Sequence, residues 1–211
     1  MEQPLVQTQC GWVSGRAHED VHSFLGIPYA KPPVGPLRFL PPEPPAPWQG
    51  TRRADAYGDG PIQYAETGFT TIPAYAQDRT LEPPQHFSED CLTLNIWRPA
   101  HSNRPLPVLF WIYGGAYAMG NAAMALYSGE AMAREGAVVV SANYRVGLFG
   151  FFAHPSLPKS ATNAGLRDLL MALRWVQDNI AAFGGDPNNV TIQGESAGSA
   201  AVNTLLVCPQ A

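Results

Sequence analysis

Hydrophobic and polar positions divide the chain into a patterned start, an unpatterned middle and a strongly apolar body. Val6, Trp12, Val13 and the run Val21-His22-Ser23-Phe24-Leu25 flank the polar link Arg16-Ala17-His18-Glu19-Asp20, which predicts an N-terminal β-hairpin within residues 5–30. From Pro28 to Trp48 the chain is proline-dense yet carries Phe39, Leu40 and Trp48, so it reads as an extended strap packed on the domain surface. The interleaved apolar residues make this reading stronger than that of a proline-rich ligand for a partner domain. Residues 57–90, rich in Gly and Pro, form a long irregular segment of the kind often found at functional sites.

The body begins at Cys91. Leu92, Leu94 and Ile96 alternate with Thr93 and Asn95 to predict one strand, and Pro107 to Tyr113, almost wholly apolar, predict a second. Residues 137–142 and Val190-Thr191-Ile192 predict a third and a fourth. Continuous apolar runs indicate strands covered on both faces, the mark of a parallel sheet. A short helical pattern lies around Gly129 to Arg134. A long one follows from Asn163 to Phe183, where Leu166, Leu169, Leu170, Leu173, Val176 and Ile180 recur at helical spacing and Gly184-Gly185 supplies the C-cap. Strands alternating with helices are the grammar of an α/β domain with right-handed crossovers. No internal repeat or composition shift divides the chain.

Composition narrows the function classes. The 211 residues are 45% hydrophobic and only 14% charged, with a net charge of −4 and no Lys/Arg cluster, which argues against nucleic acid or an anionic membrane as partner. The Met1-Glu2-Gln3-Pro4 start lacks a basic, then apolar, leader pattern and no apolar run is long enough to span a bilayer, so the expectation is a soluble cytoplasmic protein. Cys10, Cys91 and Cys208 have no zinc-site spacing and read as free thiols. His18, Glu19 and His22 sit in or beside the hairpin turn with no further ligand nearby, so they read as a solvated tip rather than a metal site. Neither a metal nor a cofactor is expected.

The candidate chemistry lies at Val190-Thr191-Ile192-Gln193-Gly194-Glu195-Ser196-Ala197-Gly198. A β-branched strand, a Gly-x-Ser-x-Gly turn and a run of small residues suited to start a helix spell a nucleophile elbow. Gly194 and Gly198 leave room where a Cβ would strike the neighbouring strand and helix, and the helix N-terminus favours an anion beside Ser196. Acyl transfer also needs donors for the oxyanion. Tyr113-Gly114-Gly115-Ala116-Tyr117 follows a buried strand and can turn its backbone N–H groups inward. Taken alone the loop is an ordinary turn; paired with the elbow at the carboxyl edge of one sheet, it reads as functional.

These pieces carry a resemblance. Phe24-Leu25-Gly26-Ile27-Pro28-Tyr29-Ala30, Gly35-Pro36-Leu37-Arg38-Phe39, Glu89-Asp90-Cys91-Leu92-Thr93-Leu94-Asn95-Ile96-Trp97, Asn143-Tyr144-Arg145-Val146-Gly147 and the stretch from Phe183 through Gly198 together resemble the type-B carboxylesterase and cholinesterase family of α/β-hydrolases, along nearly the whole chain. The resemblance implies the N-terminal portion of an α/β-hydrolase fold, a mixed, mostly parallel sheet with an N-terminal β-hairpin, in which residues 1–211 are part of a single catalytic domain. It implies hydrolysis of a small-molecule carboxylic ester through an acyl-enzyme on Ser196, with Gly115, Ala116 and Ala197 donating their N–H groups to the oxyanion. Ala116 departs from the usual third glycine of the loop, and its Cβ limits φ and takes space near the acyl group. Glycine loops of this kind are associated in the family with tolerance of bulky alcohol esters. Cys91 stands where the family often has half of a disulfide, but nearby Gln63 and Tyr64 offer no partner, which fits an intracellular, bacterial-type member. Leu169 replaces a usual glutamine.

The family order of the triad is Ser, acid, His. Ala197 to Ala211 contain no Asp, Glu or His, and His18, His22, His86, His101 and His154 all precede the serine, so the triad acid and histidine are not present where the resemblance places them. His154 reads as a loop residue. The chain is therefore expected to be the N-terminal piece of a longer carboxylesterase, capable of self-association or of pairing with a missing C-terminal half. It is expected to be marginally stable and to hydrolyse p-nitrophenyl esters feebly or not at all, within the ~10³ to 10⁴ over water that an oxyanion site alone supplies. The alternative is a non-catalytic, cholinesterase-like binding module, against which the retained Ser196 and glycine loop argue.

Overall fold

The structure, a computed structural model, describes residues 3–63, 86–158 and 161–210. Most of the irregular segment expected at residues 57–90 lies outside the described residues. Its two flanks, β6 (Gly60–Pro61) and β7 (Phe87–Ser88), pair in parallel.

The single hairpin expected at the N-terminus is two. β1 (Leu5–Thr8) pairs antiparallel with β2 (Gly11–Ser14), and β5 (Thr51–Arg53) joins β2 in parallel to complete a small three-stranded sheet. The supposed polar link is itself a strand, β3 (Arg16–His18), which turns through Glu19 (φ 49°) into β4 (Val21–Pro28). Alternation along so short a span does not show where one ladder stops and the next begins. Between β4 and β5 the proline-rich stretch has no regular element apart from one 3₁₀ turn, Gly35–Leu37, and the Trp48 indole donates to the Trp12 carbonyl (2.9 Å).

The main sheet has six strands. β8 (Thr93–Pro99), β9 (Leu106–Ile112), β10 (Val138–Ala142) and β11 (Gly185–Gly194) join β4 and β3 in the order β11-β9-β10-β8-β4-β3. β11, β9 and β10 are parallel to one another, whereas the β10–β8, β8–β4 and β4–β3 ladders are antiparallel. The sheet is mixed as expected, but its parallel part is confined to β9, β10 and β11. An apolar run reports burial on both faces, and β8 is buried on both faces while running antiparallel.

Side-chain alternation sorts the two faces. Phe24, Ile27, Leu94, Ile96, Val108, Phe110, Val138 and Val140 face a large core, and Val21, Leu25, Trp97 and Val139 face a small one. Helix α1 (Glu130–Arg134) closes the small core through Ala133. Helix α2 (Gly147–Phe151) follows β10, and α3 (Ala164–Asn179) covers the large core with Leu169, Leu170, Ala172 and Val176. Leu169, which stands where the resemblance has a glutamine, is fully buried apolar packing. A 3₁₀ turn, Ile180–Phe183, ends the helical run, and Gly184 (φ 82°) takes the left-handed cap conformation. Helix α4 (Ala197–Leu206) adds Ala201 and Leu205 to the same face.

The chain thus steps from β9 to β10 across one face, then back over β9 to β11 across the other. Such a reversal opens a crevice at the carboxyl ends of the strands. The glycine loop leaves β9 there and the Ser196 turn leaves β11 there.

Candidate active site

Ser196 joins β11 to α4 at φ 54°, ψ −119°, a region that residues with a Cβ rarely occupy and that stores about 1–3 kcal/mol of strain. The surroundings hold it there. A Cβ on Gly194 would lie 2.5 Å from Gly198 C and 2.9 Å from Ile112 O, and one on Gly198 would overlap the Ile112 carbonyl oxygen. Strand and helix cross at this spot because both positions lack a side chain. The Glu195 N–H donates to Ile112 O (3.4 Å) and the Gly198 N–H to Glu195 O (2.8 Å), tying the turn to the end of β9. Among the described residues the Ser196 hydroxyl makes no hydrogen bond, and the residue is exposed.

The loop after β9 lies against this turn. A Cβ on Gly114 would stand 3.0 Å from the Ser196 Cβ and 2.8 Å from the Glu195 carbonyl. Gly115, Ala116 and Tyr117 follow with φ of 110°, 55° and 59°. Ala116 adopts the left-handed conformation despite its Cβ, so an alanine at this position costs strain that a glycine would not. The Gly115 carbonyl accepts from Ala118 and Met119 N–H (2.9 and 3.0 Å), and the Tyr117 carbonyl accepts from Gly147 N–H (2.6 Å). The N–H groups of Gly115, Ala116 and Ala197 have no acceptor among the described residues.

The loop's root is rigid. Tyr113 and Tyr144 stack at 4.5 Å, and each phenol donates to the other's carbonyl (2.9 and 3.0 Å). Burial pushes both phenols well above the usual tyrosine range, so they are neutral donors at any working pH. Next to them, the Arg145 guanidinium grips the fully buried Asp168 carboxylate at 2.7 and 2.8 Å, and the Arg145 backbone N–H adds a third bond at 3.0 Å. At the loop's far end, the Gln63 side chain bonds both the N–H and the carbonyl of Gly120. Nothing in the local sequence marks Gln63 or pairs Arg145 with Asp168, since each partner is distant along the chain.

Other candidate residues do not converge. Cross-strand register pairs His18 with Val21 and Ala17 with His22, so the two histidines face opposite sides of the ladder, and His18 Nδ1 lies 3.3 Å from the Glu130 carboxylate. Burial, with Arg98 and His101 nearby, lowers the His22 pKa. His154 is an exposed loop residue paired through Nδ1 with the Ser156 hydroxyl (2.7 Å). Cys10, Cys91 and Cys208 are free thiols; burial raises that of Cys91 far above the usual range.

The carboxylesterase family model matches residues 2–211. The chain belongs to the carboxylesterase family. It is 45% identical to the fumonisin B1 esterase of Sphingopyxis macrogoltabida over 96% of its own length and 36% of that protein's. It is 43% identical to the cholinesterase of Mus musculus (98% and 34%) and 43% identical to the para-nitrobenzyl esterase of Bacillus subtilis strain 168 (100% and 42%). A solved structure of PNB esterase superposes with a TM-score of 0.88 at 41% identity, covering 99% of this chain and 42% of the other. The architecture is that of the α/β-hydrolases. The chain thus spans between about a third and two fifths of the length of the curated relatives it matches.

Proposed function

We propose that this chain carries the nucleophile and oxyanion half of a serine carboxylesterase acting on a small-molecule carboxylic ester, as the N-terminal portion of one catalytic domain. The observation that supports it most is the strained Ser196 turn packed directly against Gly114, at the start of a loop whose N–H groups have no acceptor among the described residues. In this reading the Ser196 oxygen attacks the ester carbonyl carbon and the π electrons move to the carbonyl oxygen. Gly115, Ala116 and Ala197 N–H groups hold that oxyanion, aided by the positive end of α4. Collapse expels the alcohol, and water then releases the acid from the acyl-serine. The serine proton needs a base, and among the described residues the Ser196 hydroxyl has no hydrogen-bond partner to take it, so in this reading full turnover draws on a base beyond them.

Three free thiols support a reducing, cytoplasmic setting. Exposed Leu206 and Val207 at the end of α4, with β11 at the sheet edge, support self-association or pairing with further polypeptide. A melting temperature that rises with protein concentration reports the former.

The decisive experiment treats the folded chain with a fluorophosphonate reagent and locates the adduct by mass spectrometry. The expected result is slow, single labelling at Ser196, lost in Ser196→Ala, with p-nitrophenyl acetate turnover no more than ~10³ to 10⁴ above water. A folded chain that leaves Ser196 unlabelled would favour the binding-module reading.

A further inference from the structure

We infer that Gln63 is a positioning residue for the glycine loop, an inference that rests on the reading of that loop as the oxyanion site. Its side-chain amide donates from Nε2 to the Gly120 carbonyl (2.9 Å) and to Pro61 O (3.0 Å), while Oε1 accepts the Gly120 N–H (2.9 Å). Donor and acceptor side by side grip both polar groups of one peptide residue, as a neighbouring strand would.

Gly120 is where this grip matters. It sits at φ 107°, and a Cβ there would lie 2.6 Å from the Tyr113 ring and 2.7 Å from the Gly114 carbonyl, so the far end of the loop rests on its own root. Gly114 in turn rests on Ser196. Position therefore passes by direct contact from Gln63 to Gly120, to Gly114, to the serine.

The residues just beyond are anchored separately: Asn143 Oδ1 accepts the Ala122 N–H (2.8 Å), and Asn95 Nδ2 donates to the Ala122 carbonyl (3.1 Å). Those asparagines stand on or beside core strands, so Ala122 has anchors independent of Gly120. Gln63 alone among the described side chains holds the polar groups of Gly120, the joint between that anchored stretch and the loop.

Hydrogen–deuterium exchange on the chain, with thermal melting and fluorophosphonate labelling in parallel, tests this. Gln63→Met keeps the side chain's length and apolar contact but removes the bonds. Two lost bonds to a half-buried peptide predict faster exchange at the bonded amides of Ala118, Met119 and Gly120 by roughly tenfold or more, with locally opening amides elsewhere unchanged and Tm lower by only about 2–6 °C. Gln63→Glu supplies the discriminating readout. Its carboxyl matches the amide's donor and acceptor only when protonated, so loop protection relative to wild type at the same pH is retained in acid and lost as the pH rises. At saturating fluorophosphonate, Gln63→Met is expected to label Ser196 several-fold more slowly, with the half-saturating concentration unchanged.

Loop exchange unaltered in Gln63→Met would overturn the inference, as would a larger fall in Tm with exchange raised throughout the chain, which marks Gln63 as merely structural. Wild-type protein that never labels at Ser196 would defeat the proposed function instead, while the exchange data still decide whether Gln63 holds the loop.

Discussion

Gly198→Ala sets two physical effects of opposite sign against each other inside α4. Gly198 is helical, so intrinsic propensity predicts that alanine stabilises by up to about 1 kcal/mol. The structure predicts the reverse. The new Cβ would overlap the Ile112 carbonyl oxygen and stand 2.8 Å from Ile112 C and Tyr113 O, all backbone atoms that cannot rotate away. Relieving the overlap with the Ile112 oxygen to the 3.4 Å at which ordinary contact begins would move α4 off β9 by more than about 1 Å. Overpacking of this kind costs about 1–3 kcal/mol or more, which exceeds the propensity gain. For a chain of this size each kcal/mol shifts Tm by roughly 2–4 °C, so a fall of about 2–10 °C is expected by circular dichroism. Ser199→Ala, an exposed neighbour in the same helix turn, gains propensity without the collision and is expected to melt at or slightly above wild type. Displacement of α4 also carries Ser196 away from Gly114, so fluorophosphonate labelling should slow in Gly198→Ala alone. A Tm for Gly198→Ala equal to or above wild type would refute the claim that a missing Cβ brings strand and helix together here.

Ser196→Gly removes both the hydroxyl and the cost of holding a Cβ at φ 54°, so it is expected to melt above Ser196→Ala by an amount equivalent to about 1 kcal/mol. Arg145→Met leaves the Asp168 carboxylate buried without its partner and is expected to cost about 3–5 kcal/mol in urea denaturation, much of it recovered in Arg145→Met/Asp168→Leu. Burial already raises the Asp168 pKa against the pull of Arg145, so the single-variant penalty should shrink in acid as the carboxyl protonates. Arg38 grips Glu89 through two 2.6 Å bonds that hold its carboxyl below the usual range. A carboxyl depressed in the folded state stabilises above its unfolded pKa and loses that contribution as pH falls through the folded value. The Tm gap between wild type and Glu89→Gln should therefore be constant above about pH 5 and close towards pH 3.

The Ser196 turn was legible in the chain itself because its constraints are local. Within five residues, Gly194, Ser196 and Gly198 must fit one crossing of strand and helix, and only small residues at fixed spacing do so. The strands at 106–112 and 138–142, the long helix and its Gly184 cap were legible for the same reason, since periodicity and capping act over one element at a time. Direction and partnership were not. The β8 run buries both faces as a parallel strand does, so its antiparallel pairing depends on which strands lie beside it. The two N-terminal hairpins share one alternating pattern, and only their different sheets separate them. Arg145 finds Asp168 across 23 residues, and Gln63 finds Gly120 across 57. Such contacts leave no mark on either local sequence, because a side chain's chemistry states what it can bond but the folded topology decides what stands within 3 Å of it.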